Sequence, residues 1–368
     1  MLSLESLRRR PDVEGPGLSA SDAADRLILD ESAAARSAAR EGGLVVVGDT
    51  HGALTLAAAD AGARGIRVHQ DALTGERALA ANAGMLGLEG SFSSLPLHRA
   101  LVERAQVVLL RLPRSLEALD DIAALVAAHA SPDVVVFAGG RLKHMTHAMN
   151  DVLRAHFGGL DVTHARQKSR VLVAREPRAG HDPAPRRVSH DGLVVCAYGG
   201  AFAGAAIDIG TRFLLEHLPA RVPDGDPLVD FACGTGVVAA TLARRHPGHR
   251  VYATDQSASA VASALATADA NGVADRVTIE RADLLERLGD ASVSFVALNP
   301  PFHSGATLTD AIATRMFADA GRVLRSGGEL WTVWNSALLY RPALERLVGP
   351  TRQIARNPKF TVTASVRR

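Results

Sequence analysis

Short runs of apolar, β-type residues alternate with alanine-rich stretches of helical period along the whole chain. Strands that are apolar throughout and separated by helices predict a parallel sheet with helices on both of its faces. In the second half of the chain the predicted strands are Leu228–Ala232, Arg250–Thr254, Arg276–Arg281, Ser294–Leu298 and Glu329–Trp334. The predicted helices between them are Val237–Arg245, Ala258–Asn271 and Leu308–Leu324. The pattern therefore predicts an α/β fold.

A stretch rich in proline and glycine interrupts this pattern near the middle of the chain. Residues 176–192 contain three prolines, two glycines and charges of both signs without periodicity, which is typical of a linker. We therefore expect a first domain over 1–175, a linker over 176–192 and a second domain over 193–368. The total of 368 residues agrees, since a domain usually takes about 100–200 residues.

The two halves resemble each other at a nearly constant offset. The stretch 44–62 aligns with 228–246, and the matched positions are Gly52 with Gly236, Asp71 with Asp255, and 107–115 with 295–303. Duplication of one α/β unit explains these matches, and chance similarity between two βαβ stretches is the alternative. The copies differ chemically, because Thr50 stands where the second copy has Gly234. A glycine there lets the backbone approach a ligand closely, so we expect the chemistry in the second half and a degenerate first half.

Composition narrows the class of protein. Hydrophobic residues make up 47% and charged residues 22%, as in ordinary globular proteins. Apolar runs such as Leu44–Val47 are far shorter than the ~20 residues that cross a bilayer. The two cysteines, Cys196 and Cys233, fit a reducing compartment. We expect a cytoplasmic monomer that needs neither a membrane nor a metal ion. The net charge of +2 neither requires nor excludes a nucleic-acid partner.

A glycine turn in the second half follows a predicted strand and opens a predicted helix. The residues from Asp230 to Gly236 read Asp-Phe-Ala-Cys-Gly-Thr-Gly, an arrangement that forms nucleotide sites at the carboxyl edge of parallel sheets. Asp255 ends the next strand about 20 residues later, where a carboxylate accepts hydrogen bonds from both hydroxyls of a ribose. Asp283 follows the third strand and is placed to accept from an adenine amino group. For both aspartates the alternative is the capping of a following helix.

The sequence Asn299-Pro300-Pro301-Phe302 follows the fourth predicted strand. Two consecutive prolines remove two backbone donors and fix the chain direction, which leaves the Asn299 side-chain oxygen and a proline carbonyl as acceptors. Such a pair suits an aromatic or amide NH2 group, whose two hydrogens both need partners. Phe302 then stacks on the planar group. A rigid turn at a strand end is the alternative interpretation.

These motifs resemble those of a known family. The segments DFACGTG, TDQS and NPPFH are similar to class I S-adenosylmethionine-dependent methyltransferases, specifically the ribosomal RNA guanine-N2 methyltransferases built from tandem domains. Residues 207–212 (IDIGTR), 259–263 (SAVAS), 308–317 (LTDAIATRMF) and 357–362 (NPKFTV) most resemble the large-subunit enzymes, which act on 23S rRNA. The small-subunit relatives, which act on 16S rRNA, are a close second. The resemblance covers essentially the whole chain.

The resemblance implies two tandem Rossmann-like methyltransferase domains with mostly parallel twisted sheets, of which the first is degenerate. It implies S-adenosylmethionine as the cofactor, bound by Asp230, Cys233, Gly234, Gly236, Asp255, Gln256, Asp283 and Asn299. It places the target guanine at the catalytic residues Asn299, Pro300, Pro301 and Phe302. In two places the sequence departs from the family: Phe231-Ala232 replaces the usual Leu-Gly before the cysteine, and Asn335-Ser336-Ala337 replaces a basic Asn-Arg-His.

Contacts to RNA must come from basic residues elsewhere. The densest basic stretch, from Arg166 to Arg187, suits phosphate binding, and a solvated linker is the alternative. The candidate RNA-binding residues are Arg166, Lys168, Arg170, Arg212 and His303. We expect His303 to be structural or to face RNA rather than to act as a base, because the proton can leave after methyl transfer. The expected partner is ribosomal RNA or a precursor of a ribosomal subunit.

The function expected from these features is methyl transfer to the exocyclic N2 of a guanine in ribosomal RNA, most closely 23S rRNA. The nearest alternative is the same reaction on 16S rRNA. Adenine N6 and glutamine amides are further alternatives, since Asn-Pro-Pro followed by an aromatic residue also serves those reactions. The alternative outside the enzymes is an RNA-binding ribosome assembly factor in which both domains are inactive.

Overall fold

The computed structural model describes residues 2–15, 17–301 and 306–368, with the side chains of 306–309 excepted. Its contacts divide the chain into two compact units, Met1–Ala184 and Pro185–Arg368. The division lies inside the predicted linker 176–192. Each unit is built around a seven-stranded sheet of its own.

The first unit consists of one mixed sheet and its helices. Its strands are β1 (Leu44–Val47), β2 (Ile66–His69), β3 (Phe92–Ser94), β4 (Val107–Arg111), β5 (Val135–Arg141), β6 (Phe157–Val162) and β7 (Ser169–Pro177). Its helices are α1 (Ala23–Glu31), α2 (Ala33–Ala38), α3 (Ala53–Asp60), α4 (Leu73–Leu86), α5 (Arg99–Val102), α6 (Leu116–His129) and α7 (His147–His156). The strand order is β3-β2-β1-β4-β5-β7-β6, with β7 antiparallel to both of its neighbours and the other pairs parallel.

The second unit begins with a separate hairpin of β8 (Arg186–His190) and β9 (Leu193–Ala197). The strands of its main sheet are β10 (Leu228–Phe231), β11 (Val251–Asp255), β12 (Val277–Arg281), β13 (Val293–Leu298), β14 (Leu324–Asn335), β15 (Thr351–Arg356) and β16 (Phe360–Val366). Its helices are α8 (Ile209–His217), α9 (Val237–Arg245), α10 (Ala258–Ala270), α11 (Ala306–Val323) and α12 (Arg341–Leu347). The strand order is β12-β11-β10-β13-β14-β16-β15.

The central strands are apolar throughout because helices cover both faces of each sheet. All six residues of β13 are buried. Phe295 and Ala297 belong to the core on one face, and Val296 and Leu298 to the core on the other. The predicted fold class, two α/β domains with mostly parallel sheets, is therefore confirmed.

The two sheets have the same strand order, which supports the duplication. Gly52 and Gly236, the matched glycines, each stand immediately before the helix that follows the first strand, α3 or α9. Both have a left-handed backbone, with φ of 97° and 76°. A residue with a side chain is strained in that conformation, which explains why both copies have glycine.

One predicted match between the halves is wrong by a single residue. Val45 pairs with Arg67 in the first sheet, and Val229, its counterpart, pairs with Tyr252 in the second. The offset thus changes from 184 to 185 between these strands, so that Gln70, and not Asp71, corresponds to Asp255. The helices that follow agree, since α4 begins at Leu73 and α10 at Ala258.

The stretch 176–192 is more ordered than its predicted role as a linker implies. Gly180 lies so close to α6 that a Cβ atom there would be 2.2 Å from the carbonyl oxygen of Ala124. Arg186–His190 forms β8, which pairs with β9 through a two-residue turn at Asp191-Gly192. Both turn residues have positive φ, 49° and 79°, as a tight hairpin of this kind requires. An Asp-Gly pair is a sequence signal for such a hairpin, and the prediction of a linker did not take it into account.

The predicted strands and helices of the second half are all present, with ends that shift by one or two residues in most cases. The exception is β14, which begins at Leu324 rather than at Glu329. Its first residues continue directly from α11, which ends at Val323. Gly327 lies within this strand with a positive φ of 78°.

Candidate active site

The glycine turn after β10 opens a space at the carboxyl edge of the second sheet. A Cβ atom built on Gly234, whose φ is 52°, would have no heavy atom of a described residue within 4 Å, apart from those of its two chain neighbours. Gly236 has a different role, because a Cβ there would lie 2.8 Å from the Cβ of Ala264 on α10. Gly234 therefore keeps the turn accessible, whereas Gly236 lets α9 pack closely on α10.

Asp230 and Cys233 lie on the inner side of this turn. Asp230 is only 3% exposed, and its Oδ2 accepts a hydrogen bond of 2.8 Å from the backbone N–H of Ala239 in α9. Burial raises the pKa of its carboxyl to about 7. Cys233 is also buried, which raises the pKa of its thiol. Asp230 thus ties the turn to α9, and the predicted contact of Asp230 and Cys233 with the cofactor stays a prediction.

Asp255 connects the glycine turn to the start of α10. Its Oδ2 accepts from the backbone N–H of Gly234 at 3.0 Å, and its Oδ1 accepts from that of Ser257 at 2.9 Å. The helix cap is Ser257, whose hydroxyl accepts from the N–H of Ala260. Capping therefore does not explain Asp255, and its carboxylate stands beside the space over Gly234. Gln256 follows as an exposed residue at the end of the strand.

Asp283 follows β12 and forms an ion pair with Arg315 of α11. The Oδ2–Nη2 distance is 3.3 Å, and the aspartate side chain is 17% exposed. A turn, not a helix, follows Asp283, so the capping alternative does not account for it either. The carboxylate that is predicted to accept a hydrogen bond from an adenine amino group therefore also pairs with Arg315.

Asn299 follows β13 and is held by two residues at the start of α8. Its Nδ2 donates to Thr211 Oγ1 at 2.8 Å and to Asp208 Oδ2 at 3.3 Å. Its Oδ1 is buried and has no hydrogen-bond partner among the residues that the structure describes. An acceptor without a partner is costly in a protein interior, so this oxygen is a candidate for binding a donor group of a ligand. It is the acceptor that the Asn-Pro-Pro motif predicted.

The other members of the motif are only partly described. Pro300 is buried and Pro301 is exposed. Phe302 and His303 lie outside the described residues, so their predicted roles stay predictions. Asp208 and Thr211 were missed as site residues, although an aspartate just before a helical apolar run is a capping signal that could have pointed to Asp208.

The equivalent place in the first unit has different chemistry. Val47 pairs with Leu110 and Phe231 pairs with Leu298, so Arg111 corresponds to Asn299. Nη1 of Arg111 donates to Asp22 Oδ1 at 2.8 Å and to Asp25 Oδ1 at 2.7 Å. A guanidinium has no acceptor atom. The first unit therefore keeps the contact between strand and helix but lacks the free oxygen.

The predicted RNA-binding residues differ in their surroundings. Arg166 forms ion pairs with Asp30 at 3.2 Å and Glu31 at 3.3 Å, which balance its charge. Lys168 is exposed in the turn between β6 and β7, Arg170 is half-buried in β7, and Arg212 is exposed on α8 beside Thr211. Of these residues, Arg212 lies on the helix that holds Asn299.

Neither a candidate membrane span nor a candidate metal site occurs among the described residues. No helix there has the length and apolar character needed to cross a membrane. Within the same residues, no three His, Cys, Asp or Glu side chains are grouped so that they could hold a metal ion.

Two family models together match almost the whole chain. The one described as RLMG N-terminal domain matches residues 3–178, and the one described as Methyltransferase small domain matches residues 192–364. A protein named Ribosomal RNA large subunit methyltransferase G, from Streptomyces avermitilis, is 35% identical over 376 residues, which cover 99% of this chain and 97% of that protein. The chain belongs to this family. A relative of the same name from Pseudomonas aeruginosa is 32% identical, with 97% of this chain and 96% of the relative covered.

A solved structure shows the same fold over the whole chain. It is the T. thermophilus 16S rRNA N2 methyltransferase RsmC in complex with AdoMet and guanosine, and it matches with a TM-score of 0.76 at 20% identity. The match covers 97% of each chain. As a member of the methyltransferase G family, this chain is an S-adenosylmethionine-dependent ribosomal RNA methyltransferase.

The second unit fits S-adenosylmethionine. No described residue other than the chain neighbours of Gly234 comes within 4 Å of its Cβ position, so the backbone of the turn is open to a ligand there. Asp255 borders that space, and a carboxylate has about four acceptor sites, so it is able to hold the turn and a ribose together. The first unit has Thr50 and Gln70 at the equivalent positions, which lack both features.

Proposed function

We propose that this protein methylates the exocyclic N2 of a guanine in the RNA of the large ribosomal subunit. The observation that carries the proposal is the buried Oδ1 of Asn299, which has no hydrogen-bond partner among the described residues. Asn299 follows β13 and precedes two prolines. This oxygen and the Pro300 carbonyl are two acceptors next to each other, and an NH2 group needs two acceptors. The relatives named as large-subunit methyltransferases support the choice of RNA.

Guanine is favoured among amino-bearing targets by a solved structure that matches the fold of the whole chain. The RsmC structure is of an N2 methyltransferase with guanosine bound, and it shares both units with this chain. Adenine N6 and glutamine amide methylation need the same pair of acceptors, so the local motif alone does not separate them. The small-subunit RNA is less favoured, because relatives that are 35% and 33% identical are named for the large subunit.

The catalytic residues in this proposal position the acceptor group rather than activate it. Bound S-adenosylmethionine supplies an activated methyl group. Guanine N2 is a poor nucleophile because its lone pair is delocalised into the ring. Hydrogen bonds to Asn299 Oδ1 and the Pro300 carbonyl fix the amino group and favour localisation of that lone pair. Holding two reactants in line supplies a large part of a rate enhancement, so no strong base is required.

The rest of the substrate is bound by stacking and charge. Phe302 stacks on the target base, which leaves its helix or loop at a cost of a few kcal/mol. Arg212 and the other basic candidates, Arg166, Lys168, Arg170 and His303, contact RNA. The substrate is either free ribosomal RNA or a subunit precursor, and the protein acts on it as a monomer in the cytoplasm.

Mass mapping of ribosomal RNA nucleosides tests this proposal. We expect N2-methylguanine to disappear from one position of 23S rRNA in cells that lack the protein and to return when it is supplied. Cells supplied with the Asn299→Ala variant serve as the matched control and should remain unmethylated. Loss of a methyl group from adenine, or from 16S rRNA, would show that the proposed substrate is wrong.

A further inference from the structure

We propose that Asp208 and Thr211 are positioning residues, which orient the Asn299 amide so that its oxygen faces the substrate amino group. The inference rests on the proposed function, since it concerns how the acceptor of that reaction is held. Neither residue needs to touch the substrate. Together with Asn299 they form what we call the amide clamp: Asp208, Thr211 and Asn299.

The clamp determines which way the amide points. The two ends of an asparagine side chain have nearly the same shape, so only hydrogen bonds distinguish them. A carboxylate accepts but does not donate, and Asp208 Oδ2 lies 3.3 Å from the nearer amide atom. That atom must therefore be Nδ2. The second contact, 2.8 Å to Thr211 Oγ1, fixes the plane of the amide and leaves the buried Oδ1 as the acceptor that has no partner among the described residues.

The clamp is itself anchored by the start of α8. Oδ2 of Asp208 also accepts from the backbone N–H groups of Gly210 at 2.9 Å and Thr211 at 3.2 Å. A Cβ atom on Gly210 would lie 3.0 Å from that oxygen and 3.6 Å from Asn299 Oδ1. Glycine thus leaves room for the contacts. The helix end holds Asp208, and Asp208 holds the amide.

In the first unit, the same contact between a strand end and a helix start is present without an acceptor such as Asn299 Oδ1. Asp22 caps α1 as Asp208 caps α8, and Asp25 is the third residue of its helix as Thr211 is of its own. Both contact Arg111, the counterpart of Asn299. The contact between strand end and helix start is therefore kept in both units. Only the second unit combines it with a group that has a free acceptor.

Thr211→Val and Thr211→Ser in the full-length protein form the principal test. Valine has the shape of threonine but no hydroxyl, so the amide loses one of its two partners. We expect kcat to fall about tenfold, the effect of one hydrogen bond, with KM for RNA and Kd for S-adenosylmethionine within twofold of wild type. Serine keeps the hydroxyl and should restore kcat. A Thr211→Val enzyme with the kcat of wild type would overturn the inference.

Asp208→Ser separates orientation of the amide from capping of the helix. Serine is itself a good capping residue, so the melting temperature should stay near that of wild type. The substitution removes the carboxylate that contacts Asn299, and kcat should therefore fall as in Thr211→Val. Loss of kcat only in proportion to loss of stability, in both variants, would show that the residues are merely structural.

The proposed function and the proposed role of the amide clamp can be contradicted independently of each other. All variants are assayed on whichever nucleotide the wild-type enzyme methylates. Methylation of a group other than guanine N2 would contradict the proposed function while the kcat comparison still decides on the clamp. Normal guanine methylation by Thr211→Val would contradict the clamp alone.

Discussion

Asn299 and Arg111 occupy equivalent strand ends and contact equivalent helix ends. Of the two side chains, only that of Asn299 has an atom that accepts a hydrogen bond. We expect Asn299→Ala to lower turnover by ~10²–10³-fold, as when one well-placed hydrogen-bonding group is removed from a preorganised site. Affinity for S-adenosylmethionine, measured by calorimetry, should hardly change. Asn299→Arg is the matched control, because it can pair with Asp208 but has no acceptor, and it should be equally inactive. An active arginine variant would contradict the role of the oxygen.

Phe302 and His303 carry opposite predictions within one short segment. Phe302→Ala should weaken capture of the RNA base by ~1–3 kcal/mol, which would appear in KM for RNA. His303→Ala should cost little, because the proton can leave after methyl transfer without a base. Single-turnover assays on both variants provide the measurement. A folded His303→Ala enzyme that binds cofactor normally but is as inactive as Asn299→Ala would show that a general base is needed.

At the scale of single elements, burial explains both what the sequence predicts and what it does not. The strands of the second half were predictable because their residues are apolar on both faces, as in β13. The turn after β10 and the acceptor at Asn299 followed from glycine and proline, which restrict the backbone locally. The clamp was not predictable, because Thr211 and Asn299 are 88 residues apart and only packing of α8 brings them together. The one-residue shift that matches Gln70 with Asp255 also required the strand register.

The β10–α9 element should respond to pH through Asp230. Burial raises the pKa of this carboxyl to about 7, whereas an unfolded aspartate has a pKa near 3.9. Between about pH 4 and pH 7 the folded chain keeps a proton that the unfolded chain loses, so stability falls as the pH rises through that window.

The variant that tests this is Asp230→Asn, which still offers an oxygen to the N–H of Ala239 but cannot ionise. Its free energy of unfolding relative to wild type should rise by up to about 1.4 kcal/mol per pH unit within the window and then level off. Urea unfolding without cofactor, from pH 5 to pH 8, measures the effect. Asp269→Asn, at an exposed position of α10, is the control and should follow the wild-type curve. Parallel curves for wild type and Asp230→Asn would contradict the prediction.

At the scale of the whole molecule, two units of the same topology divide structure from chemistry. The first unit has the sheet, the helix-starting Gly52 and the contact between strand end and helix start. However, Thr50, Gln70 and Arg111 stand where the second unit has Gly234, Asp255 and Asn299. Its turn also carries His51, which pairs with Asp12 at 3.1 Å. Duplication followed by loss of one site accounts for this pattern, because a sheet core and a ligand site depend on different residues.

This division predicts that the full-length protein binds one S-adenosylmethionine and not two. Calorimetry should give a stoichiometry of one, since Gln70 and Thr50 replace Asp255 and Gly234 in the first unit. Asp255→Ala should weaken that single site by about 1.5–3 kcal/mol, the scale of hydrogen bonds to a charged group. Gln70→Ala, the matched change in the first unit, should leave the affinity as it is. A stoichiometry of two, or a site that survives Asp255→Ala and is lost with Gln70→Ala, would show that the first unit binds the cofactor and would contradict the prediction.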